Sequence, residues 1–478
     1  MPRRGQNSAG MPSKLGRAGA GVALASLAWS RQAEQVQTPA FVAPSSGINA
    51  GATGTRPCQL QPQPQPQLPR EGLARQVRAC EAFGGPLVAG LLLGCAATRR
   101  GRKSELRRKT RARLAPKAGD VAPLSYPGAK GMDAAFAQEL GKLVGSGGLW
   151  PWEEASGLVS DAATLLMREG TLERVVVPPG GHVTVVGDLH GQLFDLLQLL
   201  EQSGPPSPEN PYIFNGDFVD RGSYSVETLL VLLAWKVAFP KYVHLARGNH
   251  EAHEMNVPYG FTGEVLTKYG KEAYTAFQRV FNYLPLAHVV NAEVLVVHGG
   301  LPRSSDVGLA EIEAVDRLEE SNAKGSQGQG RKIFTDLMWA DPRKSDGWGK
   351  SQRGGDLVTF GPDITKRFLA DNGLGLLVRS HEVKDKGYEE AHDGRCLTIF
   401  SAPKYCDSCD NLGAVLRLGA PAEGGPLEGQ IQSFDAAPRP AFYVPAMVYS
   451  PMNPACNDFL SEDAKDDIRE MISEMQSA

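Results

Sequence analysis

Val183–Val186 is followed at once by Gly187-Asp188-Leu189-His190-Gly191. A short unbroken apolar run of this kind reads as a strand buried on both faces. The Asp and His that follow it stand beside glycines, which let a backbone approach a ligand closely. The same pattern recurs down the chain. Tyr212–Phe214 leads into Gly216-Asp217-Phe218-Val219-Asp220-Arg221-Gly222, and Tyr242–Leu245 into Arg247-Gly248-Asn249-His250-Glu251. Val294–Val297 leads into His298-Gly299-Gly300, and Leu376–Val378 into Arg379-Ser380-His381; Leu397–Phe400 is a sixth apolar run. Leu193–Leu200 and Val226–Phe239 between them have helical length and pattern. Strand, polar loop and helix in repetition predict an α/β body with functional loops at the strand ends.

Taken singly, each residue in these loops has a structural explanation: an Asp forms turns, and a His satisfies a core or surface contact. Five consecutive strand ends that all present a carboxylate, imidazole or amide beside a small residue make that explanation untenable. Oxygen and imidazole donors without thiolates suit a pair of hard or borderline metal ions.

Outside this region the composition changes. Residues 1–117 hold 19 Lys/Arg against four Asp/Glu, leaving 31 against 49 in the rest, so a basic head precedes an acidic body. An acidic body argues against nucleic acid as the ligand, because phosphate backbones need clustered Lys/Arg. The head includes the low-complexity run Gln59–Leu68 and two apolar patches, Ala18–Trp29 and Gly84–Thr98. Such a composition predicts a disordered or removed extension, and about 15 residues fall short of the ~20 that span a bilayer. No stable membrane span is expected in the mature protein. Phe41-Val42-Ala43-Pro44 between the patches, with the Arg-rich run that follows the second patch, resembles the tripartite plastid presequences of dinoflagellate algae; that resemblance implies a plastid address, against cytoplasmic or mitochondrial alternatives. Seven cysteines at irregular spacing in so long a chain fit a reducing compartment.

From Met132 onward the texture is globular. Asp133–Leu143 and Glu153–Arg168 carry helical spacing, Ser321–Gly330 reads as a flexible insertion, and Ser461–Met475 as an acidic helix with Ile468, Met471, Ile472 and Met475 on one side. That helix is expected to cover a groove or to dock a regulatory protein partner, with a frayed terminal helix as the alternative.

The motif set GDLHGQ, GDFVDRG, RGNHE, HGGL, RSHE and SAPKYC resembles the phosphoprotein phosphatase family in its full order. Longer stretches such as NPYIFNGDFVDRGSYSVE and RSHEVKDKGYEEAHDGRCLTIFSAP are similar to its type 5 subfamily, and the likeness runs over residues 130–445. The resemblance implies a calcineurin-like metallophosphoesterase α/β fold: a central β-sandwich flanked by helices. The catalytic domain would span residues 130–450, between the extension of residues 1–117 and an acidic tail or helix at residues 451–478. The tetratricopeptide domain of typical type 5 enzymes is not visible in this sequence.

The implied activity is hydrolysis of phosphoserine and phosphothreonine in phosphoprotein substrates, with attack by a hydroxide shared between two divalent or trivalent metal ions (manganese, iron or zinc). By the motifs, Asp188, His190 and Asp217 would hold one ion, and Asp217, Asn249, His298 and His381 the other. His250 would be the general acid, with Asp220 fixing its tautomer. Arg221, Asn249, Arg353 and Tyr405 would bind the substrate phosphate.

This sequence departs from the family at three places. Lys404 stands where Asn is usual and is expected to point to solvent rather than to add positive charge beside the site. The Arg353–Gly361 segment is one residue longer than the family spacing, and Cys406 and Cys409 form a C-x-x-C, read as a family cysteine beside an incidental one or as a redox pair. Two other functions compete. A nucleotide or dinucleoside polyphosphate hydrolase shares the GD-x-H-G and GNH cores but not GNHE, Trp339–Pro342, Phe360-Gly361 or SAPKYC. An inert phosphatase-fold scaffold is expected to have lost a ligand, and none is lost here.

Overall fold

The computed structural model describes residues 124–318 and 328–477. The basic extension and residues 321–327 of the predicted insertion lie outside the described residues; Gln329-Gly330, at the insertion's end, instead opens the helix Gln329–Trp339.

Among the described residues, fourteen strands run in chain order as β1 (Leu172–Val175), β2 (His182–Val186), β3 (Tyr212–Phe214), β4 (Val243–Leu245), β5 (Ala287–Val290), β6 (Val294–Val297), β7 (Asp341–Pro342), β8 (Trp348–Lys350), β9 (Val358–Phe360), β10 (Leu376–Arg379), β11 (Tyr388–Ala391), β12 (Cys396–Ile399), β13 (Gly413–Gly419) and β14 (Glu428–Phe434). They form one sheet of order β1-β5-β6-β10-β12-β11 and a second of order β14-β13-β2-β3-β4, with a small third sheet β7-β9-β8. All six apolar runs named from the sequence are strands. Tyr242 and Phe400 lie just outside them: Tyr242 supplies a carbonyl to Tyr212, and Phe400 makes an isolated bridge with Asp188.

The side-chain period of two sorts each strand between two cores. Val183 and Val185 of β2, Ile213 of β3, Val294 and Val296 of β6, Leu376 and Val378 of β10, and Leu397 and Ile399 of β12 meet in the layer between the sheets. The alternate residues, Val186, Tyr212 and Phe214 on one sheet and Leu295, Val297 and Leu377 on the other, meet the helices outside. Burial on both faces is why these strands read as continuous apolar runs rather than as alternations.

The helices cover the sandwich. Ser225–Ala238 is buried around nearly its whole circumference, under Ala134–Gly145 and Trp152–Leu166. The fold extends upstream of Met132: the Trp150 indole donates to the Leu124 carbonyl, and the Tyr126 N–H to the Glu154 carboxylate. At the other end, the helix Glu462–Ser477 buries Ile468 and Met471 in the main core, with Ile472 and Met475 packed against it. Its apolar side covers the chain's own body at His253–Tyr259 and Phe261–Lys268. No described helix is long and apolar enough to cross a membrane.

β2, β3 and β4 run parallel to one another, and β6, β10 and β12 likewise in the other sheet. The carboxyl ends of the two sets are brought together by ties across the sandwich. Gly187 N–H donates to Ser401 Oγ at 2.8 Å, and Asn215 Nδ2 donates both to the Val297 carbonyl at 2.9 Å and to Ser380 Oγ at 2.8 Å. The loops that follow the six strands therefore open onto one place.

Candidate active site

Backbone geometry sets the loops. His190, Asp217, Asp220, Arg221 and His381 all have positive φ, between 45° and 71°, a conformation that costs a non-glycine residue energy and persists only where the surroundings enforce it. Gly216, at φ 87°, cannot be replaced without conflict, because a Cβ there would stand 2.5 Å from Gly248 N and 2.9 Å from His298 Nδ1. Three N–H groups, of Asp217, Phe218 and Gly248, donate to the buried Glu251 carboxylate at 2.8 Å each. Glu251 thus joins the loop after β3 to the loop after β4. Burial, and then the neighbouring Asp217 charge, push its pKa up to about 7.

The predicted metal ligands come together and are buried. His190 Nε2 lies 3.7 Å from Asp188 Oδ2 and 3.5 Å from Asp217 Oδ2. His298 Nε2 lies 3.3 Å from Asp217 Oδ1, 3.1 Å from Asn249 Oδ1 and 3.2 Å from His381 Nδ1. Two groups with ligand atoms within 4.8 Å of one another result, His190–Asp217–His250 and Asp217–His298–His381. Asp217 belongs to both. His250 stands in the first group where the motif order names Asp188, whose Oδ1 accepts the His381 N–H at 3.0 Å.

The donor set fits cations. A carbonyl can only accept, so His190 Nδ1, 3.0 Å from Val219 O, and His298 Nδ1, 2.8 Å from Asn215 O, carry the ring protons in the neutral imidazoles. In that tautomer both Nε2 lone pairs face carboxylate or amide oxygen, and only a cation or a proton between them removes the repulsion. The buried His381 Nε2 has no hydrogen-bond partner.

The electrostatics agree. Burial, followed by the Asp217 charge, lifts Asp188 to about 7, while burial and the nearby His250 lower His190 to about 3, so that it is a neutral imidazole. Burial opposes the charged form of His298 too, but Asp217 and Asp188 raise it to about 9; Asp217 itself is held well below the carboxylate range by His298 and His250 despite its burial. A proton on His298 takes up the negative charge that a bound cation would neutralise.

Around these ligands stand the remaining predicted residues. His250 Nδ1 is 2.8 Å from Asp220 Oδ2, and its ring is 4.7 Å from that of His190 and perpendicular to it. The Arg221 guanidinium lies over the Tyr259 ring at 3.8 Å, and its buried Nε has no hydrogen-bond partner. Arg353, despite its longer segment, reaches the same place: Nε donates to Asp341 Oδ2 at 2.7 Å, and Nη2 to the His381 carbonyl at 3.3 Å. Tyr405 packs its ring 5.0 Å from His190, and burial pushes its phenol well up, leaving a neutral hydroxyl. Lys404 points outward, with its side chain 55% exposed and Nζ 3.8 Å from Asp435 Oδ1. Cys406 and Cys409 are not joined in a disulfide and pack beside Phe400, Ala402 and Tyr405.

The supports of these residues are not legible in the sequence. Asp341 bridges Arg353 and Arg379, which together hold its carboxyl low against the effect of burial. Asn256 donates to Asp220 Oδ2 at 3.1 Å and to the His250 carbonyl at 2.7 Å. Glu251 and Asp341 both lie inside recognised motifs, yet nothing in their spacing says which backbone or guanidinium they hold.

Known proteins resemble the chain in sequence and in fold. Residues 181–385 match the model of the calcineurin-like phosphoesterase family. The chain is 50% identical over 283 residues to serine/threonine-protein phosphatase 5 of Arabidopsis thaliana, an alignment covering 59% of this chain and 50% of that protein. To the human serine/threonine-protein phosphatase 5 it is 45% identical over 276 residues, covering 58% and 53%. The chain spans about half the length of these curated relatives. A solved protein serine/threonine phosphatase from Saccharomyces cerevisiae, described as similar to human phosphatase PP5, superposes with a TM-score of 0.59 at 36% identity, covering 65% of this chain and 98% of that one. The chain belongs to the phosphoprotein phosphatase family, in its type 5 branch.

Proposed function

We propose that the protein hydrolyses phosphoserine and phosphothreonine in protein substrates, with two metal ions (manganese, iron or zinc) resident in the site. The observation that carries this reading is the pair of buried His/Asp groups sharing Asp217, with His250–Asp220 and two arginines around them. Asp188, His190 and Asp217 would hold one ion, and Asp217, Asn249, His298 and His381 the other. When bound, such ions supply Lewis acidity toward the phosphoryl group and lower the pKa of water. The residues do the rest. Arg221 and Arg353 present planar forks that match phosphoryl oxygens, with Tyr405 and Asn249 beside them. His250, held through Nδ1 by Asp220, keeps Nε2 for the proton that the departing serine or threonine oxygen requires. Water is the nucleophile, and the two half-exposed thiols take no part.

The test is phosphate release by the full chain with Mn²⁺, from phosphoserine peptides against nucleotides and dinucleoside polyphosphates. Preference for the peptides by two orders of magnitude or more in kcat/KM is expected; preference for nucleotides overturns the reading. We further propose that residues 1–117 are a plastid address, on the strength of the Phe41–Pro44 motif between two apolar patches.

A further inference from the structure

Tyr405 and Arg221 reach the site from different loops, and one side chain outside it links them. Asp407 sits two residues beyond Tyr405 in the same tight turn, where Asp407 N–H donates to the Lys404 carbonyl. Both of its carboxylate oxygens receive hydrogen bonds from the segment at residues 443–447. The Tyr443 hydroxyl donates to Oδ1 at 2.9 Å, and the Ala446 N–H to Oδ2 at 2.8 Å. One residue further, Met447 N–H donates to the Arg221 carbonyl at 2.6 Å, and Ser223 Oγ, in the Arg221 loop, donates to Pro445 O. The segment is therefore a strap, tied at one point to the Tyr405 turn and at the next to the Arg221 turn.

The joints of this strap are strained. Arg221, Asp407 and Met447 are all left-handed, at φ 68°, 55° and 65°, and none is glycine. Such conformations persist when neighbouring contacts over-determine them. Arg221 has a particular need of them, since its Nε is buried with no hydrogen-bond partner in the structure and its guanidinium rests on the Tyr259 ring. With no ion pair to orient it among the described residues, the fork takes its aim from the backbone. That backbone is held from one side by Arg221 N–H donating to Tyr259 O at 2.9 Å, and from the other by Met447.

We propose that Asp407 is a positioning residue for Arg221: by latching Tyr443 and Ala446 it holds Met447 on the Arg221 carbonyl and so sets where the guanidinium meets the substrate phosphate. This inference rests on the reading of Arg221 as a phosphate ligand. Asp407 itself touches neither substrate nor metal ligand.

The experiment uses the full chain loaded with Mn²⁺ and reads KM for a phosphoserine peptide, inhibition by inorganic phosphate, kcat and bound metal. Asp407→Ala should raise KM and the phosphate inhibition constant together by roughly tenfold, short of the ~10²-fold that a 1 Å misplacement can cost, with metal content unchanged. Asp407→Asn, which keeps an acceptor for the Ala446 N–H, should recover most of the loss. In an Arg221→Lys background, where the fork is already gone, adding Asp407→Ala should change both constants by less than about twofold, as coupled sites do. If Asp407→Ala lowers only the unfolding temperature, or if the two effects multiply in the double variant, Asp407 does not act through Arg221. A wild-type KM and phosphate inhibition in Arg221→Lys alone would instead remove the role of Arg221 on which the inference stands.

Discussion

His250 Nδ1 stands 2.8 Å from Oδ2 of Asp220, and Asp220 is wholly buried. The same carboxylate also accepts from Asn256 Nδ2 at 3.1 Å and from the Phe261 N–H at 2.9 Å, so its position does not depend on the imidazole. An imidazole held this way keeps one tautomer and one orientation. His250→Asn should then lower kcat by ~10²–10⁴-fold, the range of a general acid–base contribution. The loss should be smaller on p-nitrophenyl phosphate, whose leaving group barely needs a proton. Equal losses on the aryl ester and on a phosphoserine peptide would assign His250 to binding or structure.

Asp217 is the one carboxylate common to both ligand groups. Asp217→Asn should reduce bound metal and abolish turnover while the far-ultraviolet circular dichroism stays native, because the backbone N–H of residue 217 still reaches Glu251. Metal analysis showing two ions per chain, together with near-native turnover, would refute the shared position.

A pH effect should arise outside the ligand loops, at His244 on β4 and His288 on β5, whose rings lie 5.6 Å apart. Burial lowers His244 to about 3, and burial, with His244 nearby, holds His288 well below its ordinary value. Neither nitrogen of His288 has a hydrogen-bond partner. Below the unfolded value of about 6.5, the unfolded chain takes up protons that the folded chain refuses. Stability is therefore lost as pH falls through that window, by about 1.4 kcal/mol per pH unit for each histidine. Urea unfolding at pH 7 and pH 5 should show a smaller loss for His288→Leu than for the wild type. An unchanged difference would mean that His288 does not titrate in this way.

The 19 basic residues of the first 117 face an acidic remainder. If the extension is only an address, a chain beginning at residue 118 should equal the full chain in kcat and in unfolding midpoint, and a reporter carrying residues 1–117 should enter the plastid. An electrostatic brake would behave otherwise: truncation would activate, and added salt would activate the full chain, because contacts between exposed charges are screened over about 8 Å at physiological ionic strength. A cytosolic reporter with a truncation-activated enzyme would make the extension a regulator.

The strand–loop grammar was legible because burial on both faces of a sheet demands unbroken apolar runs, and because ligand loops at strand ends need Asp, His or Asn beside small residues. Val183–Val186, Tyr212–Phe214 and Val294–Val297 are strands in the structure, and the loops that follow them supply Asp188, His190, Asp217 and His298 to one place. Short or half-exposed strands were not legible. β11 exposes two of its four residues and β14 four of its seven, so neither forms the apolar run that marks a central strand. The small sheet β7-β9-β8 has strands of two or three residues, too short for any period to register.

The amino-acid order alone carried the family, the two-sheet body and the candidate ligand set, since these depend on residue type and local spacing. Tertiary structure decided what holds each ligand in place. Glu251 joins the loops after β3 and β4 by three N–H bonds, Asp341 carries Arg353 into the site across a lengthened segment, and Asp407 reaches a strap some 40 residues downstream. Each is a carboxylate whose partners, whether backbone N–H groups, guanidinium groups or the Tyr443 hydroxyl, are brought near only by the packing of the sandwich. A backbone N–H is the same at every position of a sequence, so the residue that will accept its hydrogen bond cannot be read until the chain has folded.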